Sequence, residues 1–233
     1  MAQETIYSET SDGQLATGGP PLGGESWSTV RNAVNGVGHS TSVTNSSVYA
    51  VLVAGKGASF FDVSRYLLYF DMSGFPSYSS IDSLTFHAYR ATGGGDSVIA
   101  VRHDAPVVHA GNAEYVFFPS HDPVGGDSMT AYSTVNTESD GAFNDFILNS
   151  TAITELTACI EGSGNGGAGT SSFEVALVSN LDYANSEPTD STTSNARFRT
   201  ASYTGTASDP HIKVTYSVSA GVTHNATFFG ANF

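Results

Sequence analysis

Apolar and polar residues alternate with a period of two along several stretches of the chain. Leu84, Phe86 and Ala88 point one way, while Thr85, His87 and Tyr89 point the other. Ile99 and Val101 alternate with Ala100 and Arg102 in the same manner. Phe173, Val175 and Leu177 alternate with Glu174, Ala176 and Val178, and Ile212, Val214 and Tyr216 with His211, Lys213 and Thr215. Successive side chains on a strand face opposite sides, so each stretch offers an apolar face to a core. Val48 to Ala54 is a compact apolar run of strand type, and Tyr66 to Phe70 is continuously apolar, as expected of a strand covered on both faces.

Helical spacing predicts one helix, Thr151 to Ala158, with Ile153, Leu156 and Cys159 in phase and Ser150 or Thr151 as its cap. Trp27 to Val34 reads equally as a short strand or a helical turn, and the stretch 112–118 is compatible with a helical turn. Residues 8–26 and 35–47 are rich in Ser, Thr, Gly and Pro and read as loops, as do 119–142, 161–171 and 181–195. No internal repeat or composition break marks a second domain. The expected fold is all-β, a jelly-roll-like antiparallel β-sandwich with one short helix. Residues 1–47 are expected as an N-terminal strand and loops packing on the sandwich, 48–218 as the sandwich, and 219–233 as a C-terminal aromatic arm.

Composition narrows the function. The 233 residues carry a formal charge of −14, and the eight Lys and Arg are scattered. Phosphate recognition needs clustered cations, so nucleic acid is not an expected partner. An anionic membrane surface is disfavoured by the same charge. Cys159 is the only cysteine, so no intrachain disulfide can form. Met1 to Thr5 has neither a basic segment nor an apolar core, so the chain is expected to be made in a host cytoplasm without a signal peptide.

Motifs that suggest catalysis do not assemble. Gly126-Asp127-Ser128-Met129 with Asp209-Pro210-His211 has the wording of a Gly-Asp-Ser-Leu esterase, but Ser128 sits mid-chain and alternating helices are absent. The run Gly164 to Gly169 fits G-x-G-x-x-G, yet it follows a helix and precedes a strand, the reverse of a dinucleotide site. His103, Asp104, His109, Glu114, His121 and Asp122 offer metal-ligand chemistry at spacings of no established site. Asn180, Asp182, Asn185, Glu187 and Asp190 supply oxygens suited to calcium, with Asp182, Glu187 and Asp190 the carboxylate candidates. No other cofactor is expected, and no enzymatic activity.

Four segments are similar to a known family. Ser64 to Pro76, followed by Ile81 to Tyr89, resembles the signature of DNRLRE-type jelly-roll modules: an arginine, an apolar strand, Phe-Asp, small residues and Pro, then a second strand. Ala207 to Tyr216 is similar to their closing strand, and Phe143 to Leu156 to their strand and short helix. The resemblance spans about residues 48–218 and implies a two-sheet sandwich of the kind found in cell-surface and carbohydrate-binding modules, and in tailed-phage virion proteins. Independently of it, Asp71 and Ser73 are expected to satisfy backbone groups where the strand leaves the sheet, and Arg65 to pair with Asp62 or Asp71.

The C-terminal segment carries Phe228, Phe229 and Phe233. Each phenylalanine can bury on the order of 150 Å2 or more, so the segment is expected either to fold back on its own domain or to dock as an arm on a neighbouring subunit. The leading functional expectation is a non-enzymatic virion structural protein of a tailed phage, decorating the capsid or forming a tail or fibre appendage. Its partners would be further copies of itself and other virion proteins, with Phe228, Phe229 and Phe233 at the subunit interface. The alternative is a carbohydrate-binding module for host attachment, with Tyr78, Tyr89, Tyr115 and Tyr132 as exposed aromatics that stack on surface glycans.

Overall fold

The structure is a computed structural model, and it describes residues 1–9, 12–17, 26–31, 41–45, 49–56, 61–93, 97–103, 129–137, 139–163, 171–189 and 193–218. The strands are β1 (Ala2–Tyr7), β2 (Gly13–Thr17), β3 (Thr41–Asn45), β4 (Tyr49–Lys56), β5 (Phe61–Asp71), β6 (Ser80–Gly93), β7 (Ser97–Arg102), β8 (Asn136–Thr137), β9 (Ala142–Ile147), β10 (Ser172–Ser179), β11 (Thr193–Arg199) and β12 (His211–Ser217). The helices are α1 (Trp27–Arg31), α2 (Ser150–Ile160) and α3 (Asn180–Tyr183), the first and last being single turns. The architecture is an all-β antiparallel sandwich of two sheets.

The first sheet runs β1-β12-β6-β9. The second is built around β5. One edge of β5 pairs with β2, which carries β3 outside it. The other edge pairs with β4 over its first half and β10 over its second. β7 and β8 continue beyond β10, and β11 lies beside β4. The long β6 joins the sheets: residues 80–87 pair with β12, and Arg90 to Gly93 pair with β11. β11 and β12 thus lie in line along one edge of β6. Between them the chain makes an excursion over residues 200–210, turning at Gly205, whose φ of 81° suits a residue without a Cβ.

The alternation read in the sequence fills the space between the sheets. Leu84, Phe86, Ala88, Ile212 and Val214 of the first sheet meet Tyr66, Leu68, Phe70, Phe173, Val175 and Leu177 of the second. Helix α2 closes one end of this core with Ala152, Leu156 and Cys159. Its cap is Asn149, not Ser150 or Thr151: the Asn149 carboxamide oxygen accepts from Thr151 N and Ala152 N at 3.0 and 3.1 Å. Asn149 also donates to the Ala131 carbonyl at 2.8 Å, a tie to a distant segment that local spacing does not reveal.

Around β5, β7 and β10 the second sheet is buried on both faces, as the apolar run 66–70 requires. Its outer side presents Leu67, Tyr69, Ile99, Val101, Ala176 and Val178, covered by Met129, Ala131 and Tyr183. Trp27 and Val30 of α1 and Leu181 of α3 cover Ala54, Phe61 and Val63. Beneath these helices lies a wholly buried charge cluster. Arg65 Nε and Nη2 donate to the two Asp182 carboxylate oxygens at 2.7 and 2.8 Å, and Arg31 Nε donates to the Asp182 carbonyl at 2.7 Å. Arg65 therefore pairs with Asp182 and not with Asp62 or Asp71. Asp71 does accept from Ser73 N at 2.8 Å where β5 ends.

Two loop expectations are corrected: 13–17 and 41–45 are paired strands. Each of them gains its hydrogen bonds from a neighbour remote in sequence, which outweighs its polar, loop-like composition. β1 is likewise an integral strand of the first sheet.

Candidate functional site

The first sheet differs from the second in having an outer face that no described element covers. Register fixes who stands on it. Tyr7, His211, His87 and Asp145 form one row across β1, β12, β6 and β9, and Thr5, Lys213, Thr85 and Ile147 form the next. Tyr7 is 47% exposed, Phe143 36% and Ile147 76%.

Aromatic and cationic planes make a continuous ladder over this face. Tyr49 packs on Tyr203 at 5.8 Å, and Tyr203 lies 4.0 Å from the Arg199 guanidinium carbon. The same guanidinium carbon lies over Tyr89 at 4.2 Å, and Tyr89 meets Phe143 edge-on at 5.4 Å. Phe143 meets His211 at 5.1 Å, and His211 stacks on His87 at 4.7 Å and packs against Tyr7 at 5.4 Å. Arg199 Nη1 also donates to the Ser208 hydroxyl, and the Tyr89 hydroxyl donates to the Gly141 carbonyl at 2.8 Å. Rings braced in this way form a rigid platform, since each aromatic or cation–π contact is worth about 0.5–1.5 kcal/mol.

The histidines are held with their Nδ1 protons committed. His87 Nδ1 donates to Asp145 Oδ1 at 2.6 Å, and His211 Nδ1 donates to the Asp209 carbonyl at 3.0 Å. Burial holds both rings below the ordinary histidine pKa, although these same bonds pull them part of the way back. A carboxylate–imidazole pair resembles part of a hydrolase triad, but His87 Nε2 is buried and accepts from no hydroxyl among the described residues. His211 Nδ1 meets the Asp209 backbone carbonyl, so the Asp209-Pro210-His211 motif is not joined through a carboxylate–imidazole hydrogen bond.

Beneath the 200–210 excursion lies a buried acid. Tyr66 OH sits 3.2 Å from Asp12 Oδ2 and 3.4 Å from the Arg199 carbonyl, and Tyr69 N donates to Asp12 Oδ1 at 3.2 Å. Burial pushes the Asp12 carboxyl up to about 8, with its hydrogen bonds acting the other way. Tyr66 of β5 thus stands between Asp12 and the Arg199 backbone.

Two of the three calcium candidates are engaged in ion pairs. Asp182 is turned inward under Arg31 and Arg65, and Glu187 pairs with Lys56 at 3.0 Å. Asp190 lies outside the described residues. Of the histidine-rich stretch, His103 is buried, donating to the Leu68 carbonyl at 3.2 Å beside Glu174 at 3.5 Å. Asp104, His109, Glu114, His121 and Asp122 lie outside the described residues, as do Ser128, Gly164 to Gly169, Tyr115, Phe228, Phe229 and Phe233. Among the described residues no group of three or more His, Cys, Asp or Glu is placed to hold a metal. No helix among them is long and apolar enough to cross a membrane.

Of the four tyrosines expected as exposed stackers, Tyr89 stands on the bare face. Tyr78 is partly exposed and packs on Phe75. Tyr132 is fully buried against Phe173, because it belongs to the core between the sheets. Sequence reasoning missed Tyr7, Phe143, Arg199 and Tyr203. Their signal was partial: His87, Tyr89, His211 and Lys213 stood on the polar side of two alternating strands, but cross-strand register decides which of them meet.

No family model and no curated protein matches this chain. The fold defines the class, an antiparallel β-sandwich in which no described element covers the outer face of the first sheet.

Proposed function

We propose that this chain is a non-enzymatic virion structural protein of a tailed phage, a capsid decoration or a tail or fibre appendage. It works by assembling with neighbours and displaying one face of its sandwich. The observation that carries the reading is the asymmetry of the two sheets. Helices and loops cover the outer side of the second over β5, β7 and β10, whereas Tyr7, Phe143 and Ile147 stand on the outer side of the first with no described residue over them. Large apolar side chains grouped on one face mark a surface built to meet a partner. The phage context is supported by the resemblance to DNRLRE-type modules, the charge of −14 and the three C-terminal phenylalanines. Measuring the native mass of the full chain and of a chain lacking residues 227–233 tests this. A defined oligomer that dissociates on truncation, with the sandwich intact, supports the arm; unchanged oligomer size overturns it.

A second reading, a carbohydrate-binding module for attachment to surface glycans, is favoured by the make-up of the face. Tyr7, Tyr89, Phe143 and Tyr203 provide flat apolar surfaces, and Arg199, His211 and Asp145 provide polar groups fixed beside them. Few but well-placed polar groups among aromatic rings are what sugar recognition requires.

A further inference from the structure

We propose that the uncovered face takes a glycan bearing a carboxylate, and that Arg199 reads that carboxylate; this rests on the glycan-attachment reading. Of the eight Lys and Arg, Arg31, Arg65 and Arg90 are wholly buried, Lys56 pairs with Glu187, and Arg102 lies 3.4 Å from Glu155. The remaining three, Arg197, Arg199 and Lys213, have no carboxylate partner among the described residues. All three point outward from β11 and β12, since Ala196, Phe198, Ile212 and Val214 take the inward positions. A chain of charge −14 has thus placed its uncommitted cations on the one face that also carries the aromatic ladder.

Arg199 has the geometry for the task. Its guanidinium carbon lies over the rings of both Tyr89 and Tyr203, and Nη1 is tied to Ser208. Nε is buried without a hydrogen bond, whereas Nη2 has no hydrogen-bond partner among the described residues and is left as the donor for a carboxylate. A guanidinium packed against two rings has little freedom left to lose, and its remaining N–H groups are charge-matched to a carboxylate. Tyr89 and Phe143 then lie beside the carboxylate position, where the apolar face of a sugar ring stacks. Arg197 and Lys213 flank the site and favour anions by charge alone. A neutral sugar would need the rings but not this grouping of cations, and a nucleic-acid strand would need a longer basic track than three residues supply.

The test uses the full chain. A broad glycan array comes first, and an absence of hits overturns the glycan reading itself. Titration calorimetry at low salt then compares sialyllactose with lactose, and tetragalacturonate with its carboxyl-reduced form. One acidic probe should bind at least tenfold more tightly than its neutral counterpart, and which one does so separates a sialate from a uronate. Arg199→Gln should weaken that binding at least tenfold, and the exposed Arg197→Gln and Lys213→Gln severalfold each with unchanged melting temperature. Equal affinity for acidic and neutral members, or full affinity in a folded Arg199→Gln protein, overturns the carboxylate assignment while leaving the glycan reading standing.

Discussion

Arg65 and Asp182, 117 positions apart, form a two-point ion pair in which neither side chain is exposed. The pair joins the central strand β5 to the single-turn helix α3, and Arg31 brings α1 to the same carboxylate at 3.2 Å. Removing one member strands the others in a low-dielectric site. Asp182→Asn is therefore expected to cost about 3–5 kcal/mol, read as a lowered urea midpoint. A variant as stable as the native chain would show that the cluster does not hold the helices in place.

Asp12 gives stability an alkaline-side loss. Its folded carboxyl titrates at about 8, against an ordinary value of 3.8. The unfolded chain gives up this proton first, so the stability contributed is fully present below about pH 4 and is lost progressively as pH rises to about 8. Asp12→Asn mimics the protonated acid and should be more stable at pH 8 by an amount on the order of several kcal/mol. Its stability curve between pH 4 and 8 should flatten. A steeper fall in the variant would contradict a buried, protonated Asp12.

The stacked pair His87 and His211 acts in the opposite direction. Burial holds both folded rings below the ordinary 6.5, so their contribution is present above about pH 6.5 and is lost as pH falls through the folded values. Asp145, Lys213, Tyr7, Phe143 and the Asp209 backbone are the groups packed against them. In an Asp12→Asn background, His211→Phe preserves a ring at the stack and should weaken the acid-side loss, measured as the melting temperature at pH 5 relative to pH 7.

Asn149 both caps α2 and ties it to Ala131. Asn149→Ala should cost about 1–2 kcal/mol, whereas Ser150→Ala and Thr151→Ala, at exposed positions outside the cap, should stay within about 0.5 kcal/mol. Chemical denaturation of the three variants checks the ranking.

The fold class was legible because β6, β10 and β12 alternate cleanly and β5 is apolar without interruption. The helix was legible from Ile153, Leu156 and Cys159. What stayed hidden depends on distance in sequence. β2 and β3 are polar segments whose strand character comes from pairing with each other and with β5. Asp182 looked like an exposed loop oxygen because its two arginine partners lie at positions 31 and 65. Tyr132 looked like a surface ring because the fold that buries it against Phe173 is built by distant strands. The row Tyr7, His211, His87 and Asp145 needs the register of four strands, and no single one of them announces it.

The account turns on the bare side of the first sheet being where the protein meets its partner. Hydroxyl-radical footprinting of the full chain, dilute and free, then assembled or saturated with a bound glycan, addresses this most directly. Tyr7, Phe143 and Ile147 should be readily oxidised in the free protein and protected in the engaged one, with Tyr78 labelled alike in both. Protection elsewhere, with those three residues equally reactive in both states, would contradict it.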